Sequence, residues 1–329
     1  MSQADPKPHL DLPVYADVLA AAKRIEGLAH RTPVLRSRSL DELAGMQIYC
    51  KCENFQRVGA FKFRGASNAV AMLPKALAAK GVVTHSSGNH AQALALAART
   101  RGIPAYIVMP ENAPAVKREA VLAYGGKVTL CAPSLAARES TCAAIQAETG
   151  ASLIHPYDDA RIIAGQGTAC LELLDECRDL DTVLTPVGGG GLLAGACLVG
   201  AERGLPVFGA EPMGADDAYR SLKSGEWQPS IEPDTIADGL LTSLGQRNFA
   251  LLRKLCAGIF RADDDEIRRA LELVWQRMKI VVEPSAVLPL AVLLQDDSPL
   301  KGKKVGVIFS GGNLSLPWGE QAPNAAAAS

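Results

Sequence analysis

Four consecutive glycines, Gly188 to Gly191, separate a strand-like run, Thr182 to Val187, from a helical pattern over Leu192 to Arg203. No other stretch restricts the fold as much. Residues without Cβ atoms can turn sharply, and a strand–turn–helix order of this kind is the joint of a parallel α/β unit. The turn leaves successive backbone N–H groups bare at a helix N-terminus, where the helix dipole favours an anion, so phosphate is the natural occupant. The tract lacks the GxGxxG spacing of dinucleotide-binding folds and the Lys-Ser/Thr of a Walker motif.

The same alternation of Val/Ile-rich runs with amphipathic patterns extends over most of the chain and predicts a parallel α/β sheet. Strands are expected at 81–85, 105–109, 127–131 and 151–155, with helices at 90–101, 114–124 and 135–149 between them. These make one compact unit, a small domain over 76–155 inserted into a larger one built from 1–75 and 156–329. Strands at 206–209 and 304–309 belong to the larger sheet. A helix over 265–279, with Ile267, Leu271, Val274, Trp275 and Met278 at helical spacing, reads as a packing element. The Ala-rich segment 321–329 lacks periodicity and is expected to be a disordered tail.

Composition excludes several classes. Lys+Arg (34) and Asp+Glu (35) balance to a net charge of −1 and no long basic run is present, so the footprint of a nucleic-acid binder is missing. No apolar stretch reaches the ~20 residues of a membrane span, which makes a cytoplasmic enzyme the default expectation. The eight cysteines are scattered singly, apart from Cys50 and Cys52, and read as reduced core thiols.

Lys62 has an unusual address for a lysine, in Gly59-Ala60-Phe61-Lys62-Phe63-Arg64-Gly65-Ala66. An amine between two aromatic residues is partly desolvated, which lowers its pKa and suits Schiff-base chemistry with an aldehyde cofactor. Alone, it also reads as a lysine laying its stem along a helix N-terminus. Three further segments shift that balance: Ser86-Ser87-Gly88-Asn89-His90, the glycine tract, and Ser310-Gly311-Gly312-Asn313.

In this order the four segments resemble the fold-type II pyridoxal-phosphate enzymes, whose architecture is the two-domain, tryptophan synthase β-like α/β fold. The resemblance is greatest to the serine racemase and serine/threonine dehydratase family, within it to the hydroxyaspartate dehydratases. It extends to Ala210-Glu211-Pro212 with Ala215-Asp216-Asp217, to Thr235-Ile236-Ala237-Asp238-Gly239, and to Val282-Glu283-Pro284-Ser285-Ala286. It implies that Lys62 carries pyridoxal 5'-phosphate as a Schiff base, with Gly188, Gly189, Gly190, Gly191 and Leu192 around the phosphate. Phe61 would lie against the cofactor ring, Asn89 would reach its hydroxyl, Ser310 its pyridine nitrogen, and Glu283 its edge. Ala60 departs from the commoner serine at that position, so no role attaches to a hydroxyl there.

The resemblance further implies that Ser86, Ser87, Gly88, Asn89 and His90 cradle the substrate carboxylate, with Ser87 the acid/base on the face opposite Lys62. Arg138 matches an arginine turned toward substrate on closure, and Thr242 a second position near it. A helix-face ion pair is the competing reading of Arg138, and a turn or helix cap that of Asn89 and Ser310. Glu211, Asp217 and the carbonyl of Ala215 match a divalent-cation site for Mg²⁺, Mn²⁺ or Ca²⁺; as bare residues they suit a helix cap better. His85 and His90 do not read as a metal pair, because the intervening turn splays them.

A neutral Ser310 hydroxyl cannot hold the pyridine protonated, which weakens the electron sink and favours loss of a β-substituent over transamination. The expected activity is a dehydratase acting on a small β-hydroxy amino acid, 3-hydroxyaspartate, L-serine or L-threonine, with serine racemisation accompanying or replacing it. A β-replacement enzyme of the cysteine synthase type, and a non-catalytic cofactor carrier, are the alternatives. A homodimer is implied by resemblance alone.

Overall fold

The computed structural model describes residues 10–314 of the 329, so the expectation for 321–329 lies outside the described residues. In chain order the elements are α1 (Tyr15–Ile25), β1 (Val34–Leu35), α2 (Arg38–Ala44), β2 (Gln47–Cys52), α3 (Lys62–Ala71), α4 (Lys75–Ala78), β3 (Val82–His85), α5 (Asn89–Arg101), β4 (Ala105–Pro110), α6 (Ala115–Ala123), β5 (Lys127–Cys131), α7 (Leu135–Thr149) and β6 (Ser152–Leu153). They continue as α8 (Ala160–Glu176), β7 (Thr182–Pro186), α9 (Gly191–Arg203), β8 (Val207–Pro212), α10 (Asp217–Ser224), α11 (Gln246–Leu255), β9 (Gly258–Ala262), α12 (Asp264–Leu273), α13 (Pro284–Leu293) and β10 (Lys304–Phe309).

Two sheets result. A six-stranded sheet runs β1-β2-β10-β7-β8-β9, parallel except where β1 meets β2, and a four-stranded parallel sheet runs β5-β4-β3-β6. The central strands of the larger sheet are buried on both faces: every residue of β7 and all but the first of β10 are buried. Helices on both sides of a parallel sheet require this, and it explains why those strands read as continuous apolar runs.

Two outcomes differ from the sequence reading. The strand expected over 151–155 is only two residues long, Ser152 and Leu153, pairing one edge of β3. The helix expected over 265–279 ends at Leu273 and widens into a π turn over Val274–Met278, which Lys279 closes at φ 60. The widening rotates Trp275 out of the packed stripe, leaving it 55% exposed while Ile267 and Val274 stay buried.

Helix α3 is the seam between the two cores. Phe61, just before it, packs with the cluster around α8 and α9, whereas Phe63, Ala66 and Val70 pack with α5 under the smaller sheet. The helix is locked from behind by buried charges. Arg64 donates to Glu53 and Glu172 at 2.7–2.8 Å, and Lys51 donates to Glu172 at 2.7 Å and to the Thr32 carbonyl at 2.6 Å. Removing one partner from such a buried network typically costs about 3–5 kcal/mol, so the start of α3 has little freedom. No disulfide contributes, since all eight cysteines are free thiols. Among the described residues no helix is long and apolar enough to cross a membrane.

Candidate active site

Parallel sheets place ligands outside the carboxyl ends of their strands, and both sheets here direct those ends into one cavity of about 420 Å³. Its wall takes Phe61 and Lys62 after β2, Ser86 to His90 after β3, and Tyr157 after β6. Gly188 to Leu192 follow β7, Ser310 and Asn313 follow β10, and Arg138, Thr242 and Glu283 complete it. Every residue expected to touch cofactor or substrate therefore lines a single space. Glu211, Ala215 and Asp217 do not line it.

Lys62 is the first residue of α3. The loop before it is tied to the end of β10: Phe61 N–H donates to the Ser310 carbonyl at 2.9 Å and Ala60 bridges Gly311. The Lys62 amine donates to the Pro156 carbonyl at 3.0 Å and stands 5.1 Å from the Phe61 ring and 6.0 Å from the Tyr157 ring. Desolvation lowers its pKa from 10.5 to about 8, against the opposing pull of Glu283. The aromatic enclosure comes from Phe61 and Tyr157. Phe63, expected to share it, turns into the other core.

The middle of the glycine tract tolerates nothing larger. A Cβ at Gly189 would lie 2.3 Å from the Tyr157 ring, and one at Gly190, whose φ is +90, would lie 2.5 Å from Leu244. Asn248 donates to the Gly189 carbonyl at 2.6 Å, fixing the loop from outside. The first N–H groups of the thirteen-residue α9 have no partner within the helix and open onto the cavity wall, which suits a phosphate.

Asn89 is held in a partly buried polar triad with Asn313 and the buried Glu283. Its amide donates to both oxygens of Glu283 at 3.0 and 3.1 Å, its carbonyl accepts from Asn313 at 2.9 Å, and Asn313 N–H donates to Glu283 at 3.2 Å. Burial raises the Glu283 carboxyl to about 7, partly offset by the Asn89 hydrogen bonds. The Asn89 amide, expected to reach a cofactor hydroxyl, is thus committed to Glu283. Ser310 is buried at the end of β10.

The loop after β3 is closed by Gly88 N–H donating to Ser86 Oγ at 3.3 Å. His90 turns inward, its Nε2 at 3.3 Å from the Ile154 carbonyl, and burial together with the Lys62 charge holds it neutral. His85 instead faces His155, ring to ring at 6.0 Å, so the two histidines splay. Arg138 makes no ion pair among the described residues. Its Nε donates weakly to the Ser134 carbonyl at 3.4 Å, which leaves the rest of the guanidinium to the cavity.

Glu211 and Asp217 lie behind the glycine tract. Both Glu211 oxygens accept backbone N–H groups at the start of α10, Ala218 at 2.8 Å and Tyr219 at 2.7 Å, as a helix cap would. Asp217 accepts Leu244 N–H at 2.7 Å through one oxygen, while the other is buried without a partner. Burial pushes Glu211 well above the carboxylate range and Asp217 up to about 6. Among the described residues no three His, Cys, Asp or Glu side chains converge on one point.

Tyr157 is the residue the sequence reading missed. Its hydroxyl pairs with Thr242 Oγ1 at 2.8 Å, its carbonyl accepts from Asn248 at 3.1 Å, and its ring forms the wall against Gly189. The only sequence signal is Pro156 before it and Asp158-Asp159 after it, which together mark a fixed turn into α8.

Residues 25–311 match the family described as pyridoxal-phosphate dependent enzyme. The chain belongs to that family. Within it, the chain is 49% identical over 312 residues to a β-hydroxyaspartate dehydratase from Paracoccus denitrificans, covering 93% of this chain and 99% of that protein. It is 46% identical over 308 residues to the L-threo-3-hydroxyaspartate ammonia-lyase of Saccharomyces cerevisiae, covering 93% and 94%. The crystal structure of serine racemase from Dictyostelium discoideum superposes with a TM-score of 0.89 at 49% identity, covering 92% of this chain and 99% of that one. The fold is therefore that of the fold-type II pyridoxal-phosphate enzymes, as the motif order implies. The cofactor of the family is pyridoxal phosphate, and the donors on the cavity wall fit it: one desolvated amine, and a glycine-lined helix start that no side chain can fill.

Proposed function

We propose that this pyridoxal-phosphate enzyme is an ammonia-lyase that removes water, then ammonia, from a small β-hydroxy α-amino acid, with 3-hydroxyaspartate its preferred substrate. The observation that carries the reading is the lysine amine, lowered to about 8, in one cavity with an arginine that has no ion pair among the described residues. An amine near neutrality can both accept and return a proton at working pH. Lys62 would hold the cofactor and takes the substrate Cα proton, Gly188 to Leu192 would hold its phosphate, and Phe61, Asn89, Glu283 and Ser310 line the same cavity where its ring would sit. When bound, the cofactor supplies an electron sink for the Cα–H bond. Ser86, Ser87, Gly88, Asn89 and His90 orient the α-carboxylate, Arg138 takes a β-carboxylate, and Thr242 borders the β-carbon. Residues 76–155 act as a small domain that closes on the substrate, and the protein works as a cytoplasmic homodimer.

Racemisation is the second reading. It is favoured by Ser87 and Lys62 lining the same cavity, since inversion at Cα needs a proton donor on each face. Keto-acid and ammonia release from hydroxyaspartate, L-serine and L-threonine, measured beside D-serine formation, tests both. Ser87→Ala is expected to keep L-substrate dehydration within a few-fold and to lose racemisation by about 10²-fold or more. Equal losses in both would make Ser87 a carboxylate-binding residue instead.

We further infer that a divalent cation sits between Glu211, Asp217 and the Ala215 carbonyl. The unpartnered, buried Asp217 oxygen supports it, because two neighbouring buried carboxyls without a cation are costly. The cation would act on the cofactor site through Leu244, which Asp217 holds and which packs against Gly190. Exhaustive chelation is therefore expected to lower Tm by several degrees and to weaken cofactor retention, since a ligand at a hundredfold excess over its Kd stabilises the fold by roughly 3 kcal/mol. Unchanged Tm and cofactor affinity after metal removal would leave the two acids as a helix cap.

A further inference from the structure

By packing alone, Asn248 is an unfavourable residue for its place in the fold. It stands in the first turn of α11 with none of its surface exposed, between the buried Leu244 and Leu251 in sequence. Its amide oxygen is buried and has no hydrogen-bond partner. A buried, unpaired amide oxygen costs stability. The amide cannot turn over to repair this, because its nitrogen faces two carbonyls, Gly189 at 2.6 Å and Tyr157 at 3.1 Å, and a carbonyl needs a donor.

What the side chain gains is control of one peptide plane. The Gly189 carbonyl accepts from Asn248 and from Gly245 N–H at 3.1 Å, and neither of these residues lines the cavity. In a trans peptide the N–H points opposite to the C=O, so with the Gly189 carbonyl drawn backward the Gly190 N–H faces the cavity. It donates to no group among the described residues. Gly190, at φ +90, is followed by the helical Gly191, an alternation that makes successive N–H groups converge on one anion. Asn248 is itself pinned, since the Asp158 carboxylate accepts the N–H groups of Gln246 and Arg247 at 3.1 and 3.0 Å.

We propose that Asn248 is a positioning residue for the cofactor phosphate: by holding the Gly189 carbonyl it aims the Gly190 N–H at the anion without touching the anion itself. This rests on the reading above that Gly188 to Leu192 hold the phosphate. Without the Asn248 donor, Gly245 N–H is the one bond left on that carbonyl, and a peptide between two glycines has no side chain to restrain its rotation. A rotated peptide presents its carbonyl to the phosphate and replaces attraction with repulsion. The loss therefore falls on the phosphate and not on the aldehyde that Lys62 engages.

The test separates the two ends of the ligand. Pyridoxal 5'-phosphate and pyridoxal, which lacks the phosphate, are bound to the full-length protein freed of cofactor. Asn248→Ala is expected to raise the Kd for pyridoxal 5'-phosphate on the order of tenfold or more, as the loss of one charge-assisted hydrogen bond would, and to change the Kd for pyridoxal by less than roughly threefold. Inorganic phosphate should lose affinity in parallel with pyridoxal 5'-phosphate. Asn248→Ser, which keeps one donor, should show a smaller loss with the same selectivity, and it decides the matter if the alanine variant does not fold. Equal weakening toward both ligands, or an unchanged Kd for pyridoxal 5'-phosphate, would overturn the proposal. If wild-type protein binds pyridoxal as tightly as pyridoxal 5'-phosphate, the glycine tract holds no phosphate, and that reading fails and the proposal with it.

Discussion

Replacing Lys62 by alanine is expected to lower turnover by at least about 10⁴-fold and to remove the visible absorbance of the bound cofactor, because both the covalent anchor and the base are lost together. The fold should survive. In the cofactor-free protein the amine has a pKa of about 8 against an ordinary 10.5, so the folded state holds its proton less tightly than the unfolded chain does. Below pH 8 both states are protonated and the folded state bears the full penalty, roughly 3 kcal/mol. Between pH 8 and 10.5 only the unfolded chain carries the proton, and wild-type stability rises with pH. Cofactor-free Lys62→Ala should therefore melt no lower than wild type at pH 7, with its advantage shrinking from pH 8 upward. Substantial residual turnover would sink the assignment of Lys62; a Tm that falls sharply at pH 7 would mean that its stem, and not its charge, dominates.

What could be read from the sequence is what local chemistry dictates. Gly188 to Gly191 have no alternative to a tight strand–helix turn, and the structure gives the reason atom by atom: Tyr157, Leu244 and Leu240 occupy the space any side chain would need. Strand and helix periods placed β3 to α7 within a residue or two. The losses came where tertiary contacts decide. β6 shortens to two residues because the chain must turn at Pro156 to bring Tyr157 and Asp158 onto α11, where the Asp158 carboxylate caps Gln246 and Arg247. The α12 stripe breaks where a π turn rotates Trp275 outward. The pairing of Tyr157 with Thr242 spans 85 residues, and the Glu283–Asn89 contact spans 194. No periodicity encodes such distances. The carbonyl at Pro156 that holds Lys62, and the burial of Arg64 behind it, follow from topology alone.

Arg138 gives the sharpest test of the substrate. Among the described residues its guanidinium has no carboxylate partner, so the reading of a helix-face ion pair loses its support, and its positive charge already weighs on His85 in the cavity wall. A second carboxylate on hydroxyaspartate needs a cation there, and a charge-assisted, forked pair contributes on the order of 1.5–3 kcal/mol, or roughly 10- to 150-fold. Lys117, the other cation on the wall besides Lys62, is engaged by Asp238 and is a poor substitute. Arg138→Ala should therefore depress kcat/KM for hydroxyaspartate by about that factor while changing L-serine only a few-fold, since serine has no β-carboxylate to lose. Arg138→Lys should recover only part of the difference, because an ammonium replaces the planar fork with a point charge. Equal losses on both substrates would assign Arg138 to closing the cavity, and the preference for hydroxyaspartate would then have to come from elsewhere on the wall.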